Sequence, residues 1–174
     1  MFKRENFFKG NFVNSGNYKK NLIKTKFFFN VLISDLKKNK IPLLESYNKN
    51  YDYDFTKKTI KKFSKYQNII IIGIGGSILG TKSIYSFMEK KIKKNVFFFD
   101  TLDPKLNYKY NKIKNLANSC FIVVSKSGNT LETIANLGAI FSQKLLKNKL
   151  IIITEMTNNA LMDIANKHNA EIIE

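Results

Sequence analysis

The sequence predicts an α/β protein with a doubly wound parallel sheet, preceded by N-terminal helices. From residue 68 onward, short apolar runs alternate with Gly-rich or polar turns and with helical patterns, which is the order of βαβ units. The apolar runs have no polar face, as strands of a parallel sheet covered by helices on both sides require. The chain of 174 residues is long enough for one such domain.

Five strands are predicted where β-branched and apolar residues cluster, at residues 69–72, 96–99, 121–124, 150–153 and 172–173. Helices are predicted between them, over about 77–91, 104–117, 130–147 and 159–167. Asp103 before Pro104 is a helix-start signal, because aspartate caps free amides and proline fits the first turn. The strand from Ile69 is expected at the centre of the sheet, since it is apolar on both faces.

Residues 1–67 are predicted to form a helical segment that packs on the same domain as residues 68–174. Apolar residues recur at helical spacing over 22–36, with Asn21 as a possible cap and Pro42 closing the segment. A second, short helix is predicted over 56–66, with Ile60 and Phe63 facing inward and the lysines on the solvent side.

Composition excludes several classes of protein. A single cysteine, Cys120, excludes an internal disulfide framework and favours a reducing, cytoplasmic location. No apolar run approaches the ~20 residues that span a bilayer, which disfavours a membrane protein. The net charge of +17 comes almost entirely from lysine, with Arg4 the single arginine. Because the lysines are scattered and lack interleaved aromatic residues, we do not expect a specific nucleic-acid partner.

The first Gly-rich loop reads GIGGSILG over residues 73–80 and follows a predicted strand. It departs from the dinucleotide fingerprint at Ile78, although Asp100 would suit a ribose contact. It departs from the nucleotide P-loop because Thr81 separates Gly80 from Lys82. The loop either holds an anion near a helix N-terminus or is a tight turn whose glycines let strand and helix pack.

The loop after the third strand reads VSKSGNTLET over residues 124–133. Four hydroxyl side chains, a lysine and the amides of a new helix are what the oxygens of a phosphate group need. Asn129 and Glu132 have capping-box spacing, so a purely structural role is the alternative for these two. Capping leaves Ser125, Ser127 and Thr130 unexplained, and the loop is therefore predicted to bind phosphate.

Together, the loops at 73–80 and 125–133 resemble the two N-terminal signatures of the glucose-6-phosphate isomerase family, within the sugar-isomerase-domain (SIS) superfamily. The resemblance covers at least residues 68–174 and implies a SIS-type, flavodoxin-like sheet. Thr81 stands where the family usually has proline, and Asn129 where bacterial members commonly have threonine.

The resemblance implies interconversion of glucose 6-phosphate and fructose 6-phosphate through an enediol, without metal or organic cofactor. It implies a homodimer for the full-length enzyme. The family's glutamate base, ring-opening histidine and enediol-stabilising arginine are expected beyond residue 174, so this chain is expected to be the N-terminal part and to hold no catalytic residue. The residues expected to bind the 6-phosphate are Ser77, Ser125, Lys126, Ser127 and Thr130, and those expected to line the sugar site are Gly75 and Gly76.

Other titratable residues give weaker candidates. His168 lies in a polar segment typical of a solvated helix end, and Glu132 lies in a helix's first turn. Glu155 and Asp163 follow a predicted strand, but neither has a second carboxylate at a spacing that would indicate a catalytic pair. A non-catalytic sugar-phosphate-binding regulatory module would use the same phosphate loop and stays open as an alternative.

Overall fold

The computed structural model describes residues 15–41, 44, 46, 49–141 and 149–174. The chain divides into two compact units, Met1–Asp52 and Tyr53–Glu174. Helix α1, Ser15–Lys37, lies in the first unit. It begins before Asn21, so the prediction of Asn21 as its cap is wrong: the preceding residues include good helix formers and no proline. Pro42, predicted to close the segment, lies outside the described residues.

The described part of the second unit holds one short helix and then five strands that alternate with four helices. In chain order these elements are α2 Lys57–Ser64, β1 Asn68–Ile72, α3 Gly76–Met88, β2 Asn95–Phe99, α4 Leu106–Asn111, β3 Ser119–Val124, α5 Leu131–Phe141, β4 Leu150–Ile153, α6 Ala160–His168 and β5 Glu171–Ile173. Short 3₁₀ turns follow α3 at Glu89–Lys91 and precede β3 at Leu116–Asn118.

All five strands are parallel, in the order β2-β1-β3-β4-β5, which confirms the predicted α/β class. Strand β1 pairs with β2 on one side and β3 on the other, so it is interior, but the middle strand is β3. The prediction that β1 is central is therefore wrong. Burial on both faces distinguishes interior strands from edge strands but does not fix their order.

Alternate residues of β1, β3, β4 and β5 enter two apolar layers, while β2 contributes to one of them. On one face, Ile70 and Ile72 of β1 pack with Phe121 of β3 and Leu137 of α5. On the other face, Phe63 of α2 packs with Cys120 of β3 and Ile151 of β4. Burial raises the pKa of the Cys120 thiol to about 11. Helices on both faces thus explain why the strands lack a polar side.

Two helices differ from their predictions. Helix α4 is limited to Leu106–Asn111, because Asp103 accepts a hydrogen bond from the backbone N–H of Lys105 in a preceding turn and Asn115 has a left-handed backbone (φ 59°). The side chain of Ile60 in α2 is 54% exposed, contrary to the prediction.

The neighbouring residues of α2 explain the exposure of Ile60. Thr59 and Lys62 both bond to Glu171 of β5, and Phe63 is buried. These three residues form the face of α2 that meets the sheet, and Ile60 lies outside it. The other predicted ends agree with the structure to within about two residues, with two exceptions. Helix α3 ends at Met88, where a 3₁₀ turn continues to the predicted end at residue 91, and the predicted end of α5 lies outside the described residues.

Candidate functional site

The chain reverses direction across the sheet between β1 and β3, which are neighbours although β2 lies between them in sequence. In open α/β sheets, ligands bind at such a switch point, beyond the carboxyl ends of the strands. The ends of β1 and β3 approach closely, because a Cβ atom added to Gly73 would lie 3.0 Å from the carbonyl oxygen of Val124. The loops after β1 and β3 therefore start side by side.

The loop after β1 turns at Gly75, which has φ 56° and ψ −124° and precedes α3. A side chain there would be strained by the backbone conformation, whatever the space around it. A Cβ atom on Gly75 or Gly76 would meet no atom within 4 Å, so both positions open onto free space. Ser77 follows in the first turn of α3 and is half-buried. Packing explains Gly73 and the turn explains Gly75, while neither explains Gly76.

The loop after β3, which we call the 125–130 loop, is a compact turn. Ser125 is buried, and its Oγ lies 2.9 Å from Oγ1 of Thr130. The backbone N–H of Gly128 donates to the carbonyl of Ser125 at 3.2 Å, and Gly128 takes a left-handed conformation with φ 65°. Ser127 and Lys126 are exposed at the tip of the turn. The structure thus brings the hydroxyls of Ser125 and Thr130 together and leaves two further polar side chains open to solvent.

Asn129 has a partner that local spacing did not suggest. Its Oδ1 accepts a hydrogen bond of 2.9 Å from the backbone N–H of Ala160, the first residue of α6. Its side chain is therefore engaged with α6, and the alternative that Asn129 and Glu132 form a capping box for α5 is wrong for Asn129. The 125–130 loop is instead tied to the loop between β4 and α6.

A cavity of about 280 Å³ lies between these loops, and its lining includes Ser77, Lys126, Thr154 and Glu155. Ser77 and Lys126, predicted from separate loops, therefore meet at one site. The other predicted residues do not line this cavity, although they lie in the same two loops: Gly75, Gly76, Ser125, Ser127 and Thr130. Sequence reasoning missed Thr154, whose signal was a hydroxyl directly after a strand at the carboxyl edge of the sheet.

Two charged side chains that line the cavity, Lys126 and Glu155, form a weak and exposed ion pair. The Nζ of Lys126 lies 3.6 Å from a carboxylate oxygen of Glu155, and these side chains are 86% and 47% exposed. Such a surface pair contributes between about 0 and 1 kcal/mol, so an entering anion can displace the carboxylate from the ammonium group at little cost. Helix α5 begins at Leu131, at the end of the same loop, and its first backbone N–H groups have no partner inside the helix and favour a negative charge.

The remaining titratable candidates lie elsewhere. Glu132 is in the first turn of α5, and Asp163 and His168 are on the first and last turns of α6. Lys82 and Asp100, the candidate residues of the P-loop and of the dinucleotide fingerprint, form an ion pair with each other. Within the described ranges, no group of three His, Cys, Asp or Glu side chains could hold a metal ion. None of the helices described is both long and apolar enough to cross a bilayer.

Comparison with known proteins identifies relatives of this arrangement. The chain is 38% identical over 124 residues to a glucose-6-phosphate isomerase of Methanocaldococcus jannaschii, a match covering 69% of this chain and 30% of that protein. It is 38% identical over 102 residues to the corresponding protein of Borreliella afzelii, covering 52% of this chain and 19% of that one. The chain thus spans less than a third of the length of these two relatives.

Solved structures share the fold. A glucose-6-phosphate isomerase of Chlamydia trachomatis superposes with a TM-score of 0.54 at 30% identity, over 64% of this chain and 22% of that one. A hypothetical protein of Thermus thermophilus superposes with a TM-score of 0.58 at 21% identity, over 64% of this chain and 28% of that one, which shows the fold alone.

The family model named Phosphoglucose isomerase matches residues 38–169. This match takes in α2, the loop after β1, the 125–130 loop and the β4–α6 loop that the structure brings to the switch point. Because it covers most of the chain and every part of the site just described, the chain belongs to the phosphoglucose isomerase family.

Proposed function

We propose that this chain is the phosphate-binding part of an aldose–ketose isomerase that interconverts glucose 6-phosphate and fructose 6-phosphate through an enediol. The observation that carries the proposal is the meeting of the loop after β1 with the 125–130 loop at the switch point of the sheet. Family membership supplies the substrate class, and the hydroxyl-rich loop supplies the chemistry that recognises its phosphate.

In this proposal, the phosphate is held by hydroxyls, amides and one ammonium group. When phosphate binds, the hydroxyls of Ser125 and Thr130 give up their mutual hydrogen bond of 2.9 Å, and each donates its single O–H to a phosphate oxygen. Ser127 and Ser77 approach from the tip of the turn and from α3, and Lys126 adds a positive point charge. Gly75 and Gly76 leave room for the sugar ring beside the phosphate.

Phosphate binding accounts for affinity rather than for rate. The bound substrate and the transition state feel the 6-phosphate contacts alike, so these contacts lower the dissociation constant and barely change the barrier. The proton transfer between C1 and C2 needs a base within hydrogen-bond reach. By resemblance, the glutamate, histidine and arginine that act on the sugar lie beyond residue 174.

We further propose that the full-length enzyme is a cytoplasmic homodimer that has no nucleic-acid partner.

Titration of fructose 6-phosphate by calorimetry tests the proposed site. Each hydroxyl bond to a charged phosphate contributes about 1.5–3 kcal/mol, so a Ser125→Ala, Thr130→Ala double variant should bind at least about 100-fold more weakly than the wild type. A matched control is the Ser83→Ala, Thr101→Ala double variant, which removes two exposed hydroxyls outside the site. Equal affinity of the wild type and the Ser125, Thr130 variant would disprove the assignment.

A coupled assay for glucose 6-phosphate formation separates the enzyme from the regulatory module. We expect no turnover from the 174-residue chain and turnover from the full product of the gene. Turnover by the short chain near that of a complete enzyme would mean that Glu132, Glu155 or His168 carries chemistry that we place beyond residue 174. Binding without turnover in the full product would favour the regulatory module.

A further inference from the structure

We propose that Asn159 is a positioning residue for the phosphate, acting through the shape of the 125–130 loop rather than by contact with the ligand. The inference rests on the proposed function, because it concerns the same loop. It adds a residue that lies about thirty positions further along the chain, at the start of α6.

The side chain of Asn159 is buried and uses both ends of its amide. Its Oδ1 caps α6 by accepting a hydrogen bond of 3.0 Å from the backbone N–H of Met162. Its Nδ2 lies 3.1 Å from the carbonyl of Glu155 and 3.2 Å from both the carbonyl and the hydroxyl oxygen of Thr157. The hydroxyl of Thr154 is 3.5 Å away. An amide has two N–H hydrogens for these four acceptors, so the β4–α6 loop is folded around a single nitrogen.

The same amide lies directly against the 125–130 loop. A Cβ atom on Gly128 would fall 2.0 Å from Oδ1 and 2.1 Å from Cγ of Asn159, so the amide occupies the space beside the Cα atom of Gly128. Gly128 is the residue with φ 65° that closes the turn. The amide therefore limits where this turn can lie.

Four hydrogen bonds join the β4–α6 loop and the first turn of α6 to the 125–130 loop. The carbonyl of Lys126 accepts from the backbone N–H of Glu155 at 3.1 Å and from the Thr154 hydroxyl at 3.3 Å. The carbonyl of Gly128 accepts from the backbone N–H of Leu161 at 3.1 Å. The fourth is the bond from Ala160 to Asn129 described above.

The carbonyls of Lys126 and Gly128, which accept three of these hydrogen bonds, lie on either side of Ser127 in the chain. The hydrogen bonds therefore hold the backbone that carries the proposed phosphate ligands. The donors of all four hydrogen bonds belong to the β4–α6 loop or to the first turn of α6, and the side chain of Asn159 hydrogen-bonds to both of these segments. A loop held in its binding shape before the ligand arrives does not pay for ordering at the moment of binding. Asn159 should therefore affect phosphate affinity without touching phosphate.

The Asn159→Ser variant separates the role of the side-chain NH₂ group from that of the oxygen that caps α6. Serine keeps a short side-chain oxygen for the Met162 N–H, as a good N-cap residue, but it lacks the NH₂ group and the volume against Gly128. A matched control is Thr56→Ala, which removes the N-cap of α2 away from the site. Two quantities are measured: affinity for fructose 6-phosphate by calorimetry, and backbone hydrogen exchange in the 125–130 loop.

For Asn159→Ser we expect about 10-fold weaker binding, the loss that one or two neutral hydrogen bonds imply, and faster exchange at residues 127–130. For Thr56→Ala we expect wild-type affinity and faster exchange in α2 alone. A folded Asn159→Ser variant with wild-type affinity and wild-type exchange in the loop would overturn the inference. If that variant does not fold, Thr154→Val removes the hydroxyl bond to Lys126 with little change of shape, and unchanged exchange and affinity there would overturn it equally.

These outcomes are distinct from those that test the function. If the wild type and the Ser125→Ala, Thr130→Ala variant bind fructose 6-phosphate equally, the proposed function fails. The exchange measurement still decides whether Asn159 orders the loop: faster exchange in Asn159→Ser supports its positioning role, and unchanged exchange refutes it.

Discussion

Gly73, Gly75 and Gly128 stand at three positions around the switch point that disfavour a side chain, each for a different reason. A Cβ atom on Gly73 would lie 3.0 Å from the carbonyl oxygen of Val124, closer than side-chain carbons usually come, whereas Gly75 has room but a positive φ. Gly128 has both constraints, since its φ is 65° and the amide of Asn159 fills the place of a Cβ atom. Substitutions at these positions therefore act through different physical effects.

The Gly128→Ala variant should be strongly destabilised. Left-handed backbone costs a non-glycine residue about 1–2 kcal/mol, and the overlap with Asn159 forces one of the two loops to move. We expect the free energy of unfolding in urea to fall by more than about 2 kcal/mol. Gly138→Ala is the matched control, because it lies in α5 with no atom within 4 Å of the added methyl group and should gain about 0.5–1 kcal/mol. Equal stabilities of the two variants would contradict this account.

At this scale the sequence indicated which residues carry the polar chemistry but not their distant partners. The proximity of Ser125 and Thr130 follows from their spacing in one turn. The bond from Ala160 to Asn129 and the packing of Asn159 on Gly128 join segments about thirty residues apart. Only the parallel pairing of β3 with β4 brings those segments together. Asn159 could be predicted as a helix start, and nothing local marked it as a neighbour of the site.

At the scale of whole elements, strands were more predictable than helices. The Ile-rich run of β1 and the Phe-rich run of β2 allow no other assignment, because they are too short for buried helices and consist of strand-forming residues. Helix α4 ended early because left-handed Asn115 and the turn at Asp103 confine it. The exposed face of α2 could not be predicted either, since it depends on where Glu171 of β5 lies.

The contact between α2 and β5 should make stability depend on pH. The Lys62 ammonium, at 2.6 Å, and the Thr59 hydroxyl hold the pKa of Glu171 below its ordinary value of 4.5. Because the folded-state pKa is lowered, the carboxylate stabilises the fold above the ordinary value, and this stabilisation is lost as pH falls through the folded-state pKa. Glu171→Gln should therefore lower the free energy of unfolding near neutral pH by about 0.2–1 kcal/mol, the range for exposed pairs, and leave it unchanged in acid.

Urea unfolding of the wild type and Glu171→Gln at neutral and at acidic pH measures this difference. Glu89→Gln serves as the control, since Glu89 is exposed and forms no ion pair within the described residues. A stability difference between wild type and Glu171→Gln that persists undiminished in acid would show that the glutamate acts through packing instead.

The whole molecule carries a net charge of +17, so repulsion between its positive side chains lowers the stability of the folded state. Raising the ionic strength from about 10 mM to about 100 mM shortens the Debye length from about 30 Å to about 10 Å and should raise the melting temperature by a few degrees. Sodium chloride tests this effect of screening. Inorganic phosphate at the same ionic strength should stabilise the wild type more than it stabilises the Ser125→Ala, Thr130→Ala variant. A melting temperature that falls with added chloride would contradict the role of repulsion.

The position of β2 at the edge of the sheet has a consequence for association between copies of the chain. In the described residues no strand pairs with the outer side of β2, so a Val-Phe-Phe-Phe run presents unpaired backbone, the usual template for aggregation. Lys93 and Lys94 precede this run and Asp100 ends it. In a parallel, in-register pairing, a second copy would bring Lys93 and Lys94 against the same two lysines of the first copy, and this repulsion opposes the stacking that a fibril requires.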